Sequence, residues 1–572
     1  MPALQQPGYC KKLTRLGFLF ISTIITIALV TSCHSKNNKG DLADTPEELQ
    51  EKAILIIKNS IQSVNEKGTL FIDSLNELRQ IRLVSLIYQK NGFSPLWFHN
   101  DQWLPAGDSL SLFIENSQLF GLFPQDYGSD AIIEIRKKFL NDSLSKSDRK
   151  DASLWSKSDL LLTNAFFQLV KDIKLGRLPT DSISLRKDSV LSDDFYLKSI
   201  ESLRQDGKAT ILFRNLEPVH TGYQNLKNGI KDFLDHADYR QFTIVPSSKD
   251  SLNFKKILQK RLFEGGYISF DSLQADSAQL ANAVKKFQKE KGITVDGRAG
   301  EGTIRMLNTS DREKFIRIAI SLDKYKMLPE KMPETFVWVN TSANYLELID
   351  NGSVKLWSKV ISGKAKTRTP VLTSLINSLI TYPQWVPPPS IVNKEILPAV
   401  KRNPDYLRRK GFSLLNGNGE EVDPFSVDWS KYSKNIPYRI VQGSGDANAL
   451  GVMKFVFDNK YSVYLHDTNQ RFLFANSMRS LSHGCVRVQE WKKLAEFIIK
   501  KNSFKSEGVS VSRIDSLNTW LQNKQKKIIS LKNRIPVFIR YITCEGQNGR
   551  ISFYDDVYSE DKMLSEKYFK AN

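Results

Sequence analysis

From residue 45 to about 240, apolar side chains recur at three- and four-residue spacing, as at Leu162, Ala165, Phe166, Leu169 and Val170. That is the period of helices burying one face, and it predicts a helical scaffold over 46–245, punctuated by Phe93-Ser-Pro-Leu-Trp97 and Phe123-Pro-Gln-Asp-Tyr127. His99, His220 and His236 stand alone there, without metal-ligand or acid/base spacing. A smaller unit over 255–310 follows, with an amphipathic helix around Ala283–Lys289, a turn at Gly292-Ile-Thr-Val-Asp-Gly297 and a second helix at Gly302–Leu307. From Phe336 the period changes to two: Phe336-Val-Trp-Val-Asn340, Tyr345-Leu-Glu-Leu-Ile349 and Ser353-Val-Lys-Leu-Trp357 read as strands. Asn351-Gly352 joins the last two as a tight hairpin turn. Further strands are expected at Leu379–Tyr382, Met453–Asp458 and Tyr461–His466, making a β-rich domain over 335–503. Trp385-Val-Pro-Pro-Pro389 ends one of them, because proline cannot donate to a central ladder. A polar insertion occupies about 390–440, and 504–572 reads as a helix and strand packing back on the scaffold or the β domain. The expected fold class is multidomain α+β.

Composition agrees with several folded units, since 572 residues with 41% hydrophobic content exceed what one core normally holds. A net charge of +20 favours an anionic partner or, more blandly, a solvated basic surface. The charges are dispersed, with no basic arm interleaved with aromatics, so nucleic acid is not the expected partner. At the N-terminus Lys11, Lys12 and Arg15 precede the apolar run Phe18–Val30, the pattern of an export signal. Leu16–Cys33 is long enough that an uncleaved anchor is the alternative, weakened by Ser22, Thr23 and Thr26.

Of four cysteines, Cys10 lies within the signal, and Cys485 and Cys544 fall in the folded region. In an exported protein those two could form a bridge, which would abolish any nucleophile. The competing reading is chemical. Alternation along Tyr461-Ser-Val-Tyr-Leu-His466 turns His466 away from the more apolar face, and nineteen residues downstream lies Cys485, within Ser482-His-Gly-Cys-Val-Arg-Val488. A thiol with pKa near ~8.5 becomes a nucleophile when a neighbouring imidazolium draws it to ~3.5–7.5, so His466 is the candidate base. Gly484 lets the chain turn so that backbone N–H groups of Gly484 and Cys485 can face a developing oxyanion. Arg487 could hold the loop or a substrate carboxylate. Cys485 is expected on the turn leading into the helix of Trp491, Leu494, Ala495, Ile498 and Ile499. Six histidines without His-x-x-x-His, and no Cys-x-x-Cys, imply no metal; no glycine-rich nucleotide loop occurs, so no cofactor is expected.

Three motifs resemble known families. Val30-Thr31-Ser32-Cys33 is similar to the lipobox of bacterial lipoproteins, which implies a signal peptide over 1–32, lipidation of Cys33 and a tether over 33–45 leading from the membrane. Phe287-Gln288, Asp296-Gly297 and Gly300-Glu-Gly-Thr303 resemble the peptidoglycan-binding three-helix module, although the same residues could simply fold a helical hairpin. Tyr464-Leu-His-Asp-Thr468 followed by Ser482-His-Gly-Cys-Val-Arg487 resembles the signature of the YkuD-type L,D-transpeptidase catalytic domain. Trp385-Val-Pro-Pro-Pro-Ser390, Asn448-Ala-Leu-Gly451 and Pro536-Val-Phe-Ile-Arg540 with Asp555-Asp556 extend that likeness to the large three-domain branch. The resemblance implies Cys485 as nucleophile, His466 as base, and Ser482, His483, Gly484 and Arg487 as supporting motif residues. It also implies peptidoglycan stem peptides and glycan as partners, covalent inhibition by carbapenem-type β-lactams, and a lid over about 390–440. With the lipobox it places the protein in the cell envelope facing the periplasm, the outer membrane being favoured. Transfer of the acyl group to water or to a protein amine, and an inert wall-binding lipoprotein, remain as other readings.

Overall fold

The computed structural model describes residues 41–64, 77–144, 149–179, 183, 186, 190–247, 253–269, 276–291, 295–503 and 510–569. The expected signal, Cys33 with most of the tether, and part of the turn at 292–297 lie outside the described residues. The chain divides into two compact units, Met1–Leu104 with Ala131–Thr163, and Pro105–Asp130 with Asn164–Asn572.

In the first unit the helices Pro46–Gln62 and Ile81–Lys90 bury Leu49, Ala53, Ile57, Leu83, Val84 and Ile87. Its Phe93–Trp97 turn is pinned by a buried carboxylate. Asp159 accepts from the Tyr88 hydroxyl, from Leu96 N at 3.0 Å and from Trp97 N at 2.9 Å, while the Trp97 indole donates to Thr163 at 2.8 Å. The turn therefore hides its backbone donors without a regular ladder.

In the second unit, among the described residues, nine strands form one sheet: β1 (Thr335–Asn340), β2 (Tyr345–Asp350), β3 (Ser353–Gly363), β4 (Leu372–Thr381), β5 (Met453–Phe457), β6 (Leu465–His466), β7 (Ser480–Ser482), β8 (Val486–Val488) and β9 (Lys527–Arg540). Their order is β7-β3-β8-β6-β5-β4-β9-β1-β2, and β2 also pairs with β3, so eight of them close into a circuit. The turn from β2 to β3 is the expected one, with Asn351 and Gly352 both left-handed. Val337, Val339, Leu346, Leu348, Phe455, Leu465 and Val486 fill the interior with the Trp491–Ser503 helix. The other face of β1 carries Phe336 and Trp338, which pack against Tyr223, Phe315, Tyr325 and Phe538. A strand buried on both faces reads as a continuous apolar run, as Phe336–Val339 does.

Two expectations change in detail. The strand expected from Tyr461 begins only at Leu465, because Ser462 is in a left-handed conformation. A short strand, β8, also stands between Cys485 and the helix that follows, so Cys485 leads into a ladder and only then into the helix.

The small module comprises helices Phe254–Glu264, Ser277–Glu290 and Glu301–Asn308. Its hallmark residues form one hydrogen-bond hub. Buried Gln288 donates to Asp296 at 2.8 Å and Arg298 O at 3.1 Å, and accepts from the backbone of Asp296 at 3.0 Å and Gly297 at 2.8 Å. These residues thus have a folding role of their own. The insertion carries its own small core of Ile396, Leu397, Val400, Leu407, Leu414, Trp429 and Ile440, with a strand pair at Phe412–Leu415 and Arg439–Gln442.

Candidate active site

Strand pairing decides what lies beside what. β6 runs parallel to β8, with Leu465 opposite Val486 and His466 opposite Arg487, and antiparallel to β5, with Lys454 opposite His466. Leu465, Val486 and Phe455 point into the core, so the alternation of a strand sends His466, Arg487 and Lys454 together to the opposite face. Cys485, one residue before β8, lies at the Tyr464 end of β6, where the Val486 amide donates to Tyr464 O at 3.2 Å.

The loop before Cys485 is clamped from inside. Ser482, 2% exposed, donates from Oγ to Cys485 O at 2.6 Å and accepts from Gly484 N at 3.1 Å. Gly484 has a φ of +123°, which favours glycine. Its carbonyl accepts from Thr369 Oγ1 at 2.8 Å, and Thr369 Oγ1 in turn accepts from Gly363 N at 2.9 Å. Because the Gly484 amide is engaged by Ser482, only one of the two expected oxyanion donors, the Cys485 amide, is left for a ligand. His483 points the other way, to the insertion, where Nε2 meets Glu395 Oε1 at 2.5 Å. Arg487 donates to Gln470 Oε1 at 2.9 Å, and its buried Nε has no partner among the described residues.

Cys485 and Cys544 are both free thiols, so the bridge is absent. Cys544 is core, its thiol pushed up to about 11 by burial. Burial also raises Cys485, opposed by the backbone and hydroxyl of Tyr464 and by the positive charges of Lys454 and Arg487. The Tyr464 hydroxyl faces both the Cys485 sulfur and the Trp385 side chain. His466 is pushed down to about 3, first by burial, then by Arg487. The ring is thus neutral at physiological pH, and its buried Nδ1 has no hydrogen-bond partner among the described residues. No hydrogen bond joins His466 to Cys485 among the described residues; besides Tyr464, the sulfur meets Ser462 O at 3.9 Å. Burial therefore disfavours the charged forms of both Cys485 and His466, the expected nucleophile and base. Tyr464, Lys454 and Glu395 were not singled out from sequence. Tyr464 alone carried a signal, lying two residues before His466 and so on its face.

Residues 334–506 match the model of the L,D-transpeptidase catalytic domain (YkuD), residues 82–229 a scaffold domain, and residues 253–307 a domain described as "Putative peptidoglycan binding domain". The chain is 32% identical over 249 residues to a "Putative L,D-transpeptidase" of Haemophilus influenzae, over 44% of this chain and 49% of that protein. It therefore spans about half the length of that curated relative. Among solved structures, an L,D-transpeptidase from Mycobacterium smegmatis is 12% identical, over 36% of this chain and 58% of that one, with a TM-score of 0.17. One from Stackebrandtia nassauensis is 16% identical, over 54% and 99% respectively, with a TM-score of 0.17. The 334–506 match takes in strands β1 to β8 and the Ser482–Arg487 loop, so this part of the chain is an L,D-transpeptidase catalytic domain. Segments that match a scaffold domain and a putative peptidoglycan-binding domain precede it in the same chain.

Proposed function

We propose that this chain forms peptidoglycan cross-links through a thioester on Cys485. The observation carrying the reading is the strand register that sets Lys454 and Arg487 on either side of His466, next to the Cys485 loop, where both cations and Tyr464 favour the thiolate. In the first half-reaction the thiol proton passes to neutral His466, and the sulfur attacks the carbonyl linking the third and fourth residues of a tetrapeptide stem. The Cys485 amide faces the oxyanion, and His466 returns the proton to the departing amine of the terminal D-amino acid. In the second, an acceptor amine attacks the thioester, His466 takes its proton, and Cys485 leaves as thiol. A neutral imidazole suits this cycle, since it must accept a proton twice.

The 253–307 domain supports glycan and stem peptides as partners, and the insertion, touching His483 through Glu395, serves as a lid. A nucleophilic cysteine in this setting would be open to covalent inhibition by carbapenem-type β-lactams. Export, lipidation of Cys33 and a periplasm-facing outer-membrane location complete the reading; incorporation of labelled fatty acid, lost in Cys33→Ser, tests them.

The decisive experiment is intact-mass analysis with a tetrapeptide muropeptide. An acyl adduct on the wild type and none on Cys485→Ala are expected, with cross-linked dimers among the products. An adduct on Cys485→Ala overturns the nucleophile, and hydrolysed stems without dimers overturn transfer to an amine.

A further inference from the structure

Directly paired residues share one face of a sheet, and the register lines up a row across five strands. Arg487 (β8) is opposite His466 (β6), His466 opposite Lys454 (β5), Lys454 opposite Ile380 (β4), and Ile380 opposite Ile528 (β9). On the site face the row reads cation, imidazole, cation, apolar, apolar. Ile528 is 65% exposed, so the apolar end is an open shelf. The neighbouring row of Val486, Leu465, Phe455 and Leu379 belongs to the core, which fixes the row on the outer face.

Lys454 is the cation of the row with no polar side chain holding its charge among the described residues. It is half-buried, its Nζ 3.8 Å from the Tyr464 ring centroid. Among the described residues its ammonium makes no hydrogen bond and no ion pair, and its charge acts on the Cys485 thiol and on His466. The Tyr464 ring offsets part of the cost of burying this ammonium, and an arriving anion would offset more. Glu395, which meets the thiol loop, is engaged by His483, and Asp467 is engaged by Arg471 at 2.9 Å. The other cation of the row, Arg487, is tied to Gln470.

We infer that Lys454 is a substrate-positioning residue, whose ammonium receives a carboxylate of the donor stem peptide while Ile380 and Ile528 support the adjoining apolar part of that stem. This inference rests on the proposed acyl transfer at Cys485. Two carboxylates have the required chemistry: that of the departing terminal residue, and a side-chain carboxylate on the third residue. Either would make the subsite select an acidic donor over one presenting a bare ammonium.

The test measures acylation kinetics of the full chain, wild type, Lys454→Met and Lys454→Arg, with three donors: the free stem tetrapeptide, its C-terminal carboxamide, and the stem amidated at the third-residue side chain. Iodoacetamide, which is uncharged, reports any change in the thiol itself. With the free stem, Lys454→Met should lower kcat/KM about 10- to 100-fold, chiefly through KM, as expected for loss of a charge-assisted contact, and Lys454→Arg should restore part of it. One amidated donor should be equally poor with wild type and Lys454→Met, which identifies the carboxylate received. A loss of the same factor for all three donors, matched by iodoacetamide, overturns the subsite, since Lys454 would then act on the thiol alone. An unchanged KM in Lys454→Met overturns it as well. If the wild type accepts no stem peptide at all, the acyl-transfer reading falls and the subsite with it.

Discussion

Removing the Tyr464 hydroxyl should make Cys485 harder to ionise. Burial raises this thiol and leaves His466 neutral, so the thiolate owes its stability to Tyr464, Lys454 and Arg487. An ordinary thiol of pKa ~8.5 is about 3% thiolate at pH 7, and a raised one is below that. A hydrogen bond to a charged group contributes about 1.5–3 kcal/mol, and 1.36 kcal/mol corresponds to one pKa unit. Tyr464→Phe should therefore raise the thiol further and slow alkylation near neutrality roughly 10- to 100-fold. The assay is pseudo-first-order iodoacetamide labelling from about pH 6 to 11, resolved by peptide mass spectrometry so that buried Cys544 is scored separately. The wild-type rate should climb tenfold per pH unit through neutrality, without a plateau there. A wild-type plateau with an acidic midpoint would mean a preformed imidazolium pair and refute this account, as would an unmoved midpoint in Tyr464→Phe.

Other outcomes follow from the same contacts. Ser482→Ala leaves the Gly484 amide and Cys485 carbonyl without their clamp and should cost about 1–3 kcal/mol in urea unfolding, with slower acylation. Gly484→Ala, forced to a φ of +123°, should lose about 1–3 kcal/mol through backbone strain, although a Cβ there meets nothing closer than Arg368 O at 3.5 Å. Glu395→Ala removes the contact to His483; the pair is partly exposed, contributing about 0.2–1 kcal/mol, so hydrogen exchange over 389–409 should rise modestly. Gln288→Ala should unfold the small module locally, raising exchange over 276–308 while Cys485 alkylation stays unchanged.

The sequence made some of this legible for definite reasons. Alternation placed Leu465 inside and His466 outside, and Asn351-Gly352 announced its hairpin. The left-handed kink at Ser462 was hidden, since serine carries no conformational mark as glycine does. Lys454 was hidden too, because a lysine on an alternating strand looks like any solvated residue until the register sets it opposite His466. The Glu395–His483 contact joins positions 88 residues apart, and no local pattern carries such a pairing. The ionisation of the pair depended on burial, which a linear motif does not encode; the motif suggested an imidazolium, and the packed surroundings produce a neutral ring.

The double-sided strand β1 and the late strand β9 bear on where this protein can be cut. The recognisable catalytic block ends at residue 506, yet β9, at Lys527–Arg540, sits between β4 and β1 and completes the circuit. A fragment trimmed to that block would lose one stave of its barrel and present unpaired edges on β4 and β1. Phe336 and Trp338 would also be stripped of the helices that cover them. The unit that inheritance repeats is thus smaller than the unit that can stand by itself.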